Sequence, residues 1–190
     1  MNFIKTDIPE VIIIEPKVFG DERGYFVETF RQDKLEDFLG FKVDFIQDNE
    51  SKSGYGVLRG LHYQLAPASQ TKLVRVIKGK VLDVAVDIRK GSPTFGKHVA
   101  VELSEQNKRQ MFVPRGFAHG FVVLEDDTIF AYKVDNYYSP ENDRGLAFDD
   151  ASLAIDWIVS KEQLQLSPKD TRQPTLDQAE LFDYGIDLYA

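Results

Sequence analysis

Three side chains in this sequence have the chemistry to move a proton and hold the charge that results: His62, Tyr132 and Lys72. Histidine is scarce, with only His62, His98 and His119 in 190 residues. His62 lies in Val57-Leu58-Arg59-Gly60-Leu61-His62-Tyr63-Gln64. Strand alternation groups it with Leu58, Gly60 and Gln64, and the missing side chain of Gly60 leaves room beside it. Lys72 falls on the face of Val74 and Val76, where a cation is costly to bury without a partner. Tyr132 shares a face with Phe130 and Val134. Taken singly, each is also what a packed histidine, a snorkelling lysine or a tyrosine in a barrel wall looks like. Together in one apolar interior they suit proton transfer next to a carbonyl. The imidazole removes an α-proton, the ammonium stabilises the enolate oxygen, and the phenol returns a proton from the other side. Base and acid on opposite sides of a carbon invert its configuration, which is epimerisation.

Other polar residues fit a binding role. Gln47 and Asn49 lie on one face with Phe45, placing neutral amides where an inward strand normally carries apolar groups. His119 sits in Pro114-Arg115-Gly116-Phe117-Ala118-His119-Gly120-Phe121, a stretch shaped by a proline and two glycines. Arg23, Glu141 and Arg144 occupy turn sequences and read equally well as solvated charges. His98, which follows Ser92-Pro93-Thr94-Phe95-Gly96, has no polar company and reads as structural. Metal chemistry is the competitor, because small jelly rolls often hold a metal through several histidines and a carboxylate. Position 64 is Gln and only three histidines exist, so a His-rich ligand set cannot be assembled. A non-catalytic sugar- or nucleotide-binding barrel is the rival from another class.

The elements that must position these residues are mostly strands. From Val11 to Val134 short β-rich runs are broken by Gly, Pro and Asp turns. Leu82, Val84, Val86 and Ile88 alternate with Asp83, Ala85 and Asp87, the pattern of a half-buried strand. The run Leu73 to Ile77 and this strand, joined by Lys78-Gly79-Lys80, predict a hairpin. A second hairpin is predicted from Phe121–Leu124 through Glu125-Asp126-Asp127 to Thr128–Val134. One helix is predicted over Arg31 to Leu39, and short helical pieces over Ser160 to Leu166 and Thr175 to Leu181. Many short strands with turns between them read as an all-β jelly-roll barrel with short peripheral C-terminal helices. Fourteen Phe and eight Tyr are available to line it.

Composition closes off several classes. A formal net charge of -8 disfavours a broad basic face for nucleic acid. No cysteine is present, which removes disulfides, thiolate metal sites and a cysteine nucleophile. No apolar run approaches the roughly 20 residues of a membrane span. The expectation is therefore a cytoplasmic protein with no membrane partner.

At this point six ordered motifs carry a resemblance. They are Arg59-Gly60-Leu61-His62-Tyr63-Gln64, Lys72-Leu73-Val74-Arg75-Val76, the Gly79-to-Asp87 run, Ser92-Pro93-Thr94-Phe95-Gly96, the Pro114-to-Phe121 stretch, and Tyr137-Tyr138-Ser139-Pro140. From about Phe19 to Asp170 the chain resembles the dTDP-4-dehydrorhamnose 3,5-epimerase family. The resemblance implies a cupin-type jelly roll forming one domain over 1–190, with a core at about 11–135 and a helical tail at about 150–190. It implies a homodimer, no metal and no cofactor, and a dTDP-linked 4-keto-6-deoxyhexose substrate inverted at C3 and C5 on the route to dTDP-L-rhamnose. His62 then aligns with the base and Tyr132 with the acid. Asp170 aligns with the carboxylate that pairs with the base, with Asp83 a second acidic candidate. Lys72 matches the cation near the C4 oxygen, and Arg59 and His119 match substrate contacts. Phe19, Arg23, Glu28, Gln47, Asn49, Tyr138, Glu141 and Lys169 fall at nucleotide, sugar or outer-loop positions, Arg23 and Glu28 completing the neighbouring subunit's site. The chain departs from the family pattern at Asp135, Phe148 and Ala151, where Thr, Trp and Pro are common. A 3-epimerase or a 3,4-ketoisomerase on the same scaffold would share His62.

Overall fold

The computed structural model describes residues 1–189; residue 190, the last of the predicted tail, lies outside them. Along the chain come β1 (Asn2–Lys5), β2 (Ile12–Glu15), β3 (Val18–Asp21), β4 (Gly24–Val27) and helix α1 (Gln32–Leu39). Next are β5 (Gln47–Ser53), β6 (Leu58–Gln64), β7 (Lys72–Lys78), β8 (Lys80–Asp87), β9 (Arg89–Lys90) and β10 (His98–Ser104). The set closes with β11 (Gln110–Val113), β12 (Phe117–Val123), β13 (Thr128–Val134), β14 (Asp143–Gly145) and β15 (Phe182–Asp183).

Two antiparallel sheets face each other, one in the order β1-β2-β11-β7-β13-β5, the other β10-β8-β12-β6-β14. Their facing sides bury Val74, Val76, Val81, Ala85, Met111, Phe121 and Phe130 as one apolar layer. The outer side of the first sheet is covered by α1, which packs Leu35 with Ile12, Ile14, Leu73 and Phe112. The outer side of the second sheet carries Leu82, Val84 and Val86 and is covered by the C-terminal segment, through Leu153, Trp157 and Leu176. Apolar side chains on both faces of β8 account for this layering, since each face finds its own cover. The alternation of Leu82 to Ile88 therefore marks a strand buried on both faces, with Asp83 and Asp87 fully buried, and not a half-exposed one.

Neither predicted hairpin forms. β7 pairs with β11 and β13 in the first sheet, whereas β8 pairs with β10 and β12 in the second. The Lys78-Gly79-Lys80 turn thus carries the chain from one sheet to the other, and the 125–127 turn does the same between β12 and β13. Both are tight turns, but their flanking strands twist apart to opposite walls, as a jelly roll requires.

Helix α1 starts one residue later than predicted, with Arg31 at its N-cap, and ends on Gly40 in the left-handed conformation. The tail holds single 3₁₀ turns, Lys161–Gln163 and Asp170–Arg172, while Thr175 to Leu181 contains turns and no helix. Pro174 accounts for the end of the second turn, because Gln173 before it is held extended at ψ 146°. Among the described residues no helix is long and apolar enough to cross a membrane.

Candidate active site

The registers of the two sheets build the site row by row. In the first sheet, Tyr132 stands between Asn49 and Val74, and the next row is Gln47, Val134 and Lys72. All of these point between the sheets, except that Phe45 precedes β5 and packs with Phe30 on the outer side. In the second sheet His119 stands between His62 and Ala85, and Phe121 between Arg59 and Asp83.

Arg59 and His62 reach the same side through an irregularity. Between the pairs His119–His62 and Phe121–Arg59, β12 advances two residues and β6 three. The extra residue in β6 reverses its alternation. Leu58 and Leu61 consequently pack on the outer core, and Arg59 takes the inward place that simple alternation gives to Leu58. Gly60 has φ +127°, and a Cβ there would stand 2.5 Å from the Gly120 Cα. The space beside His62 is therefore filled by the neighbouring strand's backbone.

The facing walls enclose a cavity of about 480 Å³ lined by Arg59, His62, Lys72, His119, Tyr132 and Asp170. An adjoining recess of about 360 Å³ shares His62, Lys72 and Tyr132 and adds Gln47, Asn49, Tyr138 and Lys169. His62 Nε2 lies 2.5 Å from Asp170 Oδ1. Ser167 Oγ donates to the other carboxylate oxygen at 2.7 Å. Burial alone would raise the Asp170 pKa, but the hydrogen bonds from His62 and Ser167 outweigh it and hold the carboxyl below its ordinary value. An ionised carboxylate only accepts, so His62 donates from Nε2 and keeps Nδ1 as its basic nitrogen. Asp83, the other candidate partner, instead lies 2.9 and 3.1 Å from His119 Nε2.

Burial pushes Lys72 down to about 8, against the opposing pull of Asp83 and Asp143. Burial raises the Tyr132 phenol, which keeps it protonated and able to donate. Phe130 stacks on Phe121 at 4.0 Å and neighbours the rings of His119 and Tyr132, giving the cavity an aromatic wall. At the mouth Tyr138 donates to Asp143 at 3.0 Å, and Lys169 forms an ion pair with the same carboxylate. Gln47 Nε2 donates to Asn49 Oδ1 at 2.9 Å.

Four of the sequence-predicted residues lie apart. Phe19 and Arg23 belong to the projecting β3–β4 hairpin, where Arg23 pairs with Asp21. Glu28 stands 3.8 Å from Arg31, and Glu141 accepts a hydrogen bond from Ser139 Oγ. None of the four lines either recess. Conversely, Ser53, Asp143, Gln165 and Ser167 serve the site without having been singled out. Arg59 donates to Ser53 Oγ at 3.1 and 3.3 Å. Ser167, three residues before Asp170, has the spacing of a side-chain turn, a local signal that was available. Among the described residues no group of three or more His, Cys, Asp or Glu is placed to hold a metal ion.

Comparison with known proteins gives concordant results. A family model described as dTDP-4-dehydrorhamnose 3,5-epimerase matches residues 5–178. The chain is 57% identical over 182 residues to the dTDP-4-dehydrorhamnose 3,5-epimerase of Shigella flexneri, covering 96% of this chain and 99% of that one. It superposes on the crystal structure of dTDP-6-deoxy-D-glucose-3,5-epimerase from Legionella pneumophila in complex with dTDP-4-keto-L-rhamnose with a TM-score of 0.93 and 52% identity, over 97% and 99% of the two chains. A 3'-monoepimerase from Streptomyces bikiniensis in complex with dTDP-quinovose is also similar, with a TM-score of 0.89 and 32% identity over 95% and 92% of the chains.

Proposed function

The chain belongs to the dTDP-4-dehydrorhamnose 3,5-epimerase family, and from that premise we propose how its own residues perform the reaction. It is an isomerase that converts dTDP-4-dehydro-6-deoxy-D-glucose to dTDP-4-dehydro-L-rhamnose by inversion at C3 and C5, in dTDP-L-rhamnose synthesis. The observation that carries the assignment of roles is that His62 comes from one sheet, and Tyr132 and Lys72 from the sheet facing it, across one cavity. A sugar ring held between these walls meets a base on one side and an acid on the other.

In this scheme His62 Nδ1 takes the proton on the carbon next to the C4 ketone. The released electron pair forms the enolate, whose oxygen the Lys72 ammonium stabilises. Asp170 stabilises the resulting imidazolium, and Tyr132 delivers a proton to the opposite side of the carbon. Solvent then restores both groups, so the net change is inversion with no cofactor consumed. Arg59 and His119 line the sugar end, and Gln47, Asn49, Tyr138 and Lys169 supply amide, aromatic and cationic contacts for the nucleotide end. Residues 1–190 act as one catalytic unit in the cytoplasm.

Phe19, Arg23 and Glu28 are proposed to act in trans, completing the neighbouring site of a homodimer. Their hairpin leaves Val18, Phe19, Tyr25 and Phe26 exposed at 43 to 68%, an apolar surface that a second copy would cover. Mixing inactive Arg23→Ala and His62→Ala chains should restore part of the activity, because one hybrid site then holds both residues. Activity no greater than that of either chain alone would remove the trans assignment.

The principal test is NMR of dTDP-4-dehydro-6-deoxy-D-glucose with the enzyme in D2O. Deuterium should enter C3 and C5 with formation of the L-sugar, His62→Ala should abolish both labels, and Tyr132→Phe should impair inversion more than exchange. Label at C3 alone would favour the 3-epimerase or 3,4-ketoisomerase reading, which differ by whether the keto group moves. No label despite nucleotide binding would favour a passive barrel.

A further inference from the structure

Asp170, the partner of His62, is not on a barrel strand. It ends a stretch, residues 163–170, that returns along the entry to β6. Gln165 N donates to the Gly56 carbonyl at 2.8 Å, and Leu58 N donates to the Gln165 carbonyl at 3.0 Å. Val57 and Gln165 thereby form a parallel bridge. The Gln165 side chain adds a third tie, from Nε2 to the Tyr55 carbonyl at 2.8 Å. Five residues on from the bridge the two segments reach His62 and Asp170, where β6 and the 3₁₀ turn Asp170–Arg172 meet again. The spacing of the catalytic pair is therefore fixed by how closely these two backbones run at the bridge.

Gly56 decides that closeness. Its φ is +78°, and a Cβ there would lie 2.3 Å from the Gln163 carbonyl oxygen and 3.3 Å from the carbonyl carbon. The obstruction would be backbone, which cannot rotate away as a side-chain end can. We infer that Gly56 is a positioning residue for the His62–Asp170 pair: by carrying no side chain, it lets the returning segment dock and bring the Asp170 carboxylate to the imidazole. This rests on the reading of that pair as the catalytic base and extends it to a residue that touches neither substrate nor either member of the pair.

The test is a double-mutant cycle in the full-length enzyme with Gly56→Ala and Asp170→Asn, reading kcat, KM and the NMR resonance of the His62 Nε2–H proton. A displacement on the order of 1 Å at a reacting group can cost about 10²-fold, so Gly56→Ala should lower kcat by that order while KM changes little. The Nε2–H resonance should move towards that of Asp170→Asn, and the second substitution should add little to the first. A merely structural glycine would lower Tm, leave the resonance in place, and give losses that multiply. Should Gly56→Ala fail to fold, Gln165→Ala removes the amide tie to Tyr55 together with a side chain of the cavity wall, so the non-additivity and the resonance, rather than kcat alone, carry the reading. It should lower kcat several-fold and be likewise non-additive with Asp170→Asn. Multiplying losses, or an unmoved resonance, would overturn the inference. An unchanged kcat in Asp170→Asn alone would overturn the reading of the base and the role of Gly56 with it. That outcome is distinct from a slow Asp170→Asn beside a fast Gly56→Ala, in which only the positioning role fails.

Discussion

The molecule holds two imidazole–carboxylate pairs whose histidines stand opposite each other on β6 and β12, and they are built to different ends. In the His62–Asp170 pair the imidazole is 30% exposed and the carboxylate 4%. In the His119–Asp83 pair the figures are 7% and 0%. Asp170 accepts from both His62 and Ser167, and these bonds overcome burial to keep it ionised. Asp83 lies deeper, and burial raises its pKa in spite of His119 and Lys72 beside it. The first pair thus presents an open nitrogen backed by a firm negative charge. The second fixes a ring against Phe130 and offers Lys72 a weak countercharge in the cavity floor. Identical functional groups take different work according to what surrounds their carboxylates.

Substituting each carboxylate by its amide tests that division. Asp170→Asn should cost the larger loss, about 10²-fold in kcat, because the imidazolium loses its stabilising charge. Asp83→Asn, which keeps an acceptor for His119, should cost about tenfold or less. Equal losses in the two variants would end the distinction. The smallest expected effect is a pH shift, and it sharpens the comparison most. In its proposed role Lys72 acts on the enolate only while protonated, so kcat/KM should fall as pH rises through about 8. Asp83 opposes the effect of burial on Lys72, so Asp83→Asn should move that alkaline limb to lower pH, whereas Asp170→Asn should leave it in place. Both are read from one series of pH–rate profiles.

The strands of this fold are legible in the sequence because alternation is a local property, and so are the inward places of Lys72 and Tyr132. Strand partners are not local. Lys78-Gly79-Lys80 is what a hairpin turn looks like, and only the apolar side chains on both faces of β8 signal a strand that must be covered twice. Arg59 is misassigned by strict alternation because one extra residue in β6 is invisible until Gly60 is set against Gly120. Asp170 emerges from the resemblance rather than from pattern, since it lies in a turn with no periodicity to read. Phe19, Arg23 and Glu28 have the opposite character: the resemblance marks them, and a single chain gives them nothing in the cavity to touch.

The crossing connections also bear on how the molecule is made. The His62–Asp170 contact joins residues 108 apart in sequence, and most neighbouring strands in both sheets are separated by other elements. Such pairings incur the entropy of loop closure before they return contact energy, which places folding among the slower, millisecond-to-second topologies. During synthesis the imidazole leaves the ribosome long before its carboxylate. A nascent chain can assemble strands around His62, but the proposed base meets its carboxylate only once the segment that carries Asp170, 108 residues later, has also emerged.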